Sequence, residues 1–206
     1  MVASEFDGAV ALVTGAAGLG IGQAVARRFA SGGARVVVTD IHERRTREVT
    51  KAIVEDHPDR EIVGWPMDAG DPAAIDEVVE RVINRFGAID IVVNNAAVNI
   101  MGSIFDYQLA DWHRVMAVNL NGPWYLSRRV LPHMREHGHG VVINIGSYAP
   151  DVGGAGLETP YAVSKGALNT LTRCLAHEGG RYGIRANTVS MGMVEGTKFV
   201  MDNAEL

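Results

Sequence analysis

The sequence predicts an α/β domain: one doubly wound parallel sheet with helices on both faces. Three observations carry that prediction. Short apolar runs alternate with helical stretches along most of the chain, the pattern of repeated βαβ units. Several of those runs are almost unbroken in Val, Ile and Leu, as strands buried on both faces must be. The turn after the first run is rich in glycine, and an acid closes the second run.

The elements follow in order. Residues 9–14 (AVALVT) form a compact first strand, followed by the glycine turn and a helical stretch at 23–30. Residues 35–39 (RVVVT) are the second strand, ending on Asp40. Residues 42–56 read as a charged helix, stopped at Pro58, whose ring clashes with a continuing helix. Residues 61–65 are a third strand. Pro72 sits in the first turn of a helix reaching Phe86, with Asp71 as its N-cap. Residues 89–93 (IDIVV) and 141–145 (VVINI) are buried strands on either side of a long mixed helical region at 111–136. A helix at 161–178 and a sixth strand at 184–190 complete the series. With no repeat, low-complexity tract or linker, residues 1–206 read as a single domain.

Composition narrows the function classes. At 206 residues, with 47% hydrophobic and 21% charged residues, the chain is an ordinary globular one. Nineteen basic against 24 acidic residues leave a charge of −5, which gives no bulk attraction for nucleic acid or an anionic membrane. The amino terminus has no basic start and apolar run, and no apolar stretch of about 18 residues is uninterrupted. The single cysteine, Cys174, has no partner for an internal disulfide and is expected in the core. A cytoplasmic protein is expected. His133, His137 and His139 close a helix, where they favour its dipole; no metal is expected. Trp112, Met116 and Trp124 are assigned to core packing or a subunit contact.

The glycine turn runs Thr14-Gly15-Ala16-Ala17-Gly18-Leu19-Gly20-Ile21-Gly22. Small residues let the backbone approach a pyrophosphate, and the next helix points free N–H groups at the anion. Asp40 follows Gly20 by 20 positions, the spacing at which a carboxylate reaches an adenosine ribose. It would accept from the ribose hydroxyls and repel a 2′-phosphate, favouring NAD over NADP. Strand, glycine turn, helix and acid together make the predicted sheet Rossmann-like. The alternative for Asp40 is a cap on the following helix.

Tyr161 and Lys165 are four residues apart, on one helix face. Asn94-Asn95-Ala96-Ala97 follows one buried strand, and Ser147 lies just past another. With Asp68, Asn119, Ile145-Gly146-Ser147 and Asn187…Gly192, these pieces resemble the classical short-chain dehydrogenase/reductase family, from Val10 to about Thr197.

The resemblance implies an NAD-dependent oxidoreductase acting on a small-molecule alcohol or carbonyl substrate. Tyr161 would be the general acid/base, its phenol acidified by Lys165, which would also bond the nicotinamide ribose. Ser147 would hold the substrate oxygen, and Asn119 would anchor a water beside Lys165. Gly15, Gly20, Ile21 and Gly22 would form the dinucleotide turn. Asp68 and Ala69 would meet the adenine, Asn94 and Ala96 the ribose and pyrophosphate. Gly192, Val194 and Thr197 would approach the carboxamide. Simpler roles stand beside these: Ser147 as a strand-end residue, Asn119 as a helix-distorting amide, Asp68 as a turn acid. The resemblance also implies a homo-oligomer, dimer or tetramer.

Against the family pattern the glycine turn is one residue longer and Met191-Gly192 replaces Pro-Gly, and the usual last helix and strand are not expected within residues 1–206, as in a truncated chain or a natural short form. The substrate pocket would be lined by the loop after Ser147, including Glu158 and Thr159. A dinucleotide-binding module without turnover is the competing reading.

Overall fold

The computed structural model describes residues 4–154 and 156–194. Six parallel strands, β1 (Val10–Val13), β2 (Arg35–Asp40), β3 (Ile62–Pro66), β4 (Ile91–Asn94), β5 (Gly140–Ser147) and β6 (Ile184–Met191), form one sheet. Their order is β3-β2-β1-β4-β5-β6. The helices among the described residues are α1 (Ile21–Ser31), α2 (Glu43–Asp56), α3 (Pro72–Phe86), α4 (Leu109–Met116), α5 (Gly122–His137), α6 (Ala149–Val152) and α7 (Thr159–Gly180). A π-helical turn, Ala117–Asn121, joins α4 to α5.

Alternation along the strands builds two cores. Val10, Leu12 and Val37 pack on one face with Val78, Val82 and Leu126 of α3 and α5. Ala11, Val13, Val36 and Val38 pack on the other with Phe29 of α1 and Ile53 of α2. Successive strand residues point to opposite faces, so an uninterrupted apolar run serves both. All four residues of β1 are fully buried. Burying one Val or Leu stabilises by about 1.5–3 kcal/mol, so this central strand holds the following turn firmly.

Local signals set several ends. Asp71 Oδ1 accepts from Ala73 N at 2.9 Å and caps α3, and Gly87 closes it with φ 80°. Four features differ from expectation. The region at 111–136 is α4 and α5 separated by the π-turn, which needs one extra residue in the hydrogen-bonded ring. The short helix α6 carries no apolar periodicity long enough to read. Cys174 is exposed rather than in the core, because α7 turns Leu168, Thr172 and Leu175 inward instead. Trp124 is 50% exposed and is not a core residue. No described helix is long and apolar enough to cross a membrane.

Candidate active site

The chain order reverses between β1 and β4, which leaves a crevice beyond the carboxyl ends of the strands. A cleft of about 1010 Å³ opens there, at the upper end of the range for ligand sites. Gly15, Gly20, Ile21, Gly22 and Asp40 line one side. Asp68, Ala69 and Ala96 line its middle, and Ser147, Tyr161, Lys165, Gly192 and Val194 the other side. Thr197 lies outside the described residues.

The glycine turn is locked to the loop after β4. Asn95 Nδ2 donates to the carbonyls of Thr14 and Gly15, both at 2.9 Å. Thr14 Oγ1 accepts from the backbone N–H groups of Asn95 and Ala96, both at 3.0 Å. Gly15 has φ 61°, and a Cβ there would lie 2.7 Å from Ala96 Cα. At Gly22 a Cβ would overlap Asn95 Nδ2 and lie 2.6 Å from the Gly15 carbonyl oxygen. The first turn of α1 has neither a side-chain cap nor an acid, so its N–H groups face the cleft as donors for an anion.

Asp40 does not cap α2, whose N-cap is His42. Its Oδ2 accepts from Ala17 N at 3.2 Å and its Oδ1 from His42 N at 3.1 Å, and Arg45 stands 3.8 Å away. Burial raises the Asp40 pKa, against the lowering effect of the Ala17 N–H and the Arg45 charge. The carboxylate therefore ties the glycine turn to the end of β2. Asp68 accepts from Gly70 N at 2.8 Å and from Arg114 Nη1 at 3.1 and 2.8 Å. Burial works to raise the Asp68 pKa, but the Arg114 and Gly70 donors and the Arg114 charge outweigh it and lower it. Asp68 is thus a turn acid and a cleft residue together.

Two expected residues face elsewhere. Asn94 is 3% exposed and donates to Asn144 Oδ1 at 2.8 Å, between β4 and β5. The neighbouring Asn95, which lines the cleft, is the residue tied to the turn. Asn119 is fully buried in the π-turn. Its Nδ2 donates to the Val98 carbonyl at 2.9 Å and to Ser164 Oγ at 3.1 Å, and its Oδ1 accepts from Val98 N. Ser164 Oγ in turn donates to the Tyr161 carbonyl at 2.7 Å. Both amide hydrogens are committed, so the side chain braces α7 and the loop after β4.

Tyr161 is 8% exposed and hydrogen-bonded to Ser147; Ser147 Oγ also accepts from Ala149 N at 3.1 Å. Lys165 Nζ lies 5.7 Å from the Tyr161 ring centre and donates to the Ile145 carbonyl at 2.6 Å. The acidified phenol expected from the sequence is not what this arrangement gives. Burial raises the Tyr161 pKa, the Ser147 hydrogen bond opposes that, and the Glu158 charge adds to it. Burial also lowers Lys165 from 10.5 to about 8, so the cation is itself weakened by the desolvation it shares with the phenol.

Sequence reasoning missed Arg114 and the Asn95 lock. The Asn-Asn pair was visible, but its partner Thr14 lies 81 residues earlier, and only the β1–β4 pairing brings them together.

Comparison with known proteins agrees with this geometry. The short chain dehydrogenase family profile matches residues 9–205. A (2S)-[(R)-hydroxy(phenyl)methyl]succinyl-CoA dehydrogenase subunit, BbsD, of Thauera aromatica is 41% identical over 187 residues, covering 90% of this chain and 73% of that protein. The meso-2,3-butanediol dehydrogenase of Serratia marcescens is 33% identical, covering 93% and 73%. A gluconate 5-dehydrogenase from Burkholderia cenocepacia J2315, solved with NADP and tartrate, superposes with a TM-score of 0.89 at 32% identity, covering 98% and 78%. An NAD+-bound xylitol dehydrogenase superposes with a TM-score of 0.85 at 31% identity, covering 91% and 71%. The chain belongs to the short-chain dehydrogenase/reductase family of oxidoreductases.

Proposed function

We propose that the protein is an NAD-dependent oxidoreductase that interconverts a small-molecule alcohol and its ketone. One observation carries this: Ser147, Tyr161 and Lys165 line the same cleft as the glycine turn and Asp40. The uncapped start of α1 and the small-residue turn fit a pyrophosphate, and the Asp40 carboxylate fits ribose hydroxyls better than a phosphate. Ile21, Asp68, Ala69, Ala96, Gly192 and Val194 would hold the remainder of the dinucleotide. Bound there, the nicotinamide ring supplies the acceptor, or the donor, of the hydrogen and electron pair exchanged with the substrate carbon.

The chain's own residues handle the oxygen. The Ser147 hydroxyl bonds the substrate oxygen and stabilises charge developing on it. Tyr161, as phenolate, takes the hydroxyl proton during oxidation and, as phenol, returns it during reduction. Lys165 favours the phenolate: at an effective dielectric of 20, a cation at roughly 6 Å is worth about 3 kcal/mol, or two pKa units. That charge works against the rise imposed by burial and by Glu158. Asn119 positions α7 through Ser164 and so orients Tyr161.

Two relatives named for alcohol oxidation support this chemistry. The exposed Leu109 and Trp124 of α4 and α5 support a homo-oligomer formed through these helices, and a cytoplasmic setting fits the lone cysteine. The test is titration with NAD and NADP, followed by assay against secondary alcohols and ketones. NAD-linked turnover is expected; tight dinucleotide binding with no turnover of any substrate would overturn the enzyme reading.

A further inference from the structure

The part of the cleft beyond Tyr161 has an uneven composition. Met101, Val152, Leu157, Met191 and Met193 make it apolar, and Glu158 is the one charged side chain among them. The other charges lining the cleft among the described residues, apart from buried Lys165, are Asp40, Arg45, Asp68 and Arg114, at the opposite, adenosine end. Glu158 precedes the first residue of α7 and stands three residues before Tyr161.

Glu158 is held from across the cleft. Asn99 Nδ2 donates to its Oε1, and Gly102 N donates to the neighbouring Leu157 carbonyl at 2.9 Å. The loop after β4 and the start of α7 are thereby fastened together at the cleft wall. Asn99 Oδ1 is buried with no hydrogen-bond partner among the described residues. Within the cleft this leaves the Glu158 carboxylate as an acceptor on an otherwise apolar wall.

Resting on the oxidoreductase reading above, we propose that Glu158, braced by Asn99, is the specificity-determining acceptor of this site, and that the substrate is a vicinal diol, or the matching hydroxyketone, on an apolar body. The reacting hydroxyl lies at Ser147 and Tyr161, and the second hydroxyl donates to Glu158. A donor there forms a charge-assisted hydrogen bond. A carboxylate or phosphate at the same place meets like charge in a partly desolvated cleft and is rejected. The apolar wall receives the rest of the molecule. Glu158 and Tyr161 both line the cleft, and the Glu158 charge raises the Tyr161 pKa.

Three matched compounds test this: styrene glycol, α-methylbenzyl alcohol and mandelate. Each carries a phenyl group on the reacting carbon and differs only in having CH₂OH, CH₃ or a carboxylate beside it. With the full chain and NAD, kcat/KM for the glycol is expected to exceed that for the mono-alcohol at least tenfold, with mandelate lowest. Glu158→Leu is expected to reduce the glycol-to-alcohol ratio at least fivefold. Glu158→Gln is expected to raise mandelate relative to the glycol at least tenfold and to move the acidic limb of the pH profile downward. A merely structural role would lower all three substrates together and leave these ratios and the pH limb in place, overturning the proposal. Saturation-transfer NMR with NADH reads the same preferences without turnover. Selective binding of the glycol that is lost in Glu158→Leu, with no oxidation of any compound, keeps this proposal and removes the oxidoreductase reading. Absent or equal binding of the three compounds, or ratios unchanged in both variants, overturns it.

Discussion

Lys165 Nζ donates to the Ile145 carbonyl at 2.6 Å while the side chain is 2% exposed. This places an ammonium at the end of β5 with burial holding its pKa at about 8. Below pH 8 the folded state carries a buried cation that the unfolded chain would keep in water. Between pH 8 and 10.5 the unfolded chain binds more protons, so the stability of the wild type rises with pH there. The change is about 3 kcal/mol for a shift of this size. Lys165→Met is expected to lose that rise, along with at least 99% of turnover. Urea titrations of both proteins across this range check it; a stability difference independent of pH would refute the assignment.

Tyr161→Phe removes the phenol while keeping the ring that packs with Ala149 and Ala162. Turnover is expected to fall by about 10²–10⁴-fold, the usual worth of a positioned acid/base. NAD affinity, measured by fluorescence titration, should change by less than about threefold, since on the proposed mechanism the phenol acts on the substrate oxygen. A loss of turnover under tenfold would exclude Tyr161 as the proton carrier.

On the proposed reading, Asp40 discriminates between the two dinucleotides. Asp40→Ala is expected to lower the NAD-to-NADP ratio of kcat/KM by at least tenfold, about 1.4 kcal/mol of lost repulsion. Arg45, 3.8 Å from the carboxylate, is then free to meet a 2′-phosphate. A wild type that already favours NADP would contradict the reading.

Gly22→Ala tests the lock between the glycine turn and Asn95. Its methyl would collide with Asn95 Nδ2 and the Gly15 carbonyl, at a cost of about 1–3 kcal/mol and at least a tenfold weaker NAD affinity. A methyl at Gly18 would meet no described atom within 4 Å, so Gly18→Ala should leave the melting temperature nearly unchanged. Equal effects of the two substitutions on melting would show that the lock does not hold the turn.

His139 stands 2.9 Å from Asp90 Oδ1, while Asp90 Oδ2 accepts from Val10 N at the start of β1. The hydrogen bond with Asp90 is the main cause that raises the His139 pKa above 6.5. The stabilisation is therefore full below pH 6.5 and fades as pH rises through the raised value. Because the side chain is 61% exposed, solvent screening keeps the effect small. His139→Gln should lower the melting temperature more at about pH 5 than at about pH 9; the reverse order would count against the pair.

Much of the fold was legible because strands buried on both faces cannot conceal their composition. β1 and β4 are nearly continuous apolar runs, and the glycines and asparagines that follow them mark the crevice. The expected positions of Ser147, Tyr161 and Lys165 all line it. Other features were not legible. Asn94 and Asn95 are adjacent amides of the same type, and the β4–β5 register gives the first to Asn144 while the second, just past β4, turns to Thr14 and Gly15. Cys174 and Leu175 are neighbours on α7, yet the packing angle of that helix exposes the first and buries the second.

The order of residues along the chain determined the strands, the helices, the glycine turn and the helical spacing of Tyr161 and Lys165, because each depends on neighbours within a few positions. Tertiary structure decided that burial and the Glu158 charge raise the Tyr161 phenol, that Asn119 braces Val98 and Ser164, and that Glu158 meets Asn99 across the cleft. Desolvation and long-range hydrogen bonds depend on which segments pack together, and segments 45 to 59 residues apart become partners only once the sheet has assembled.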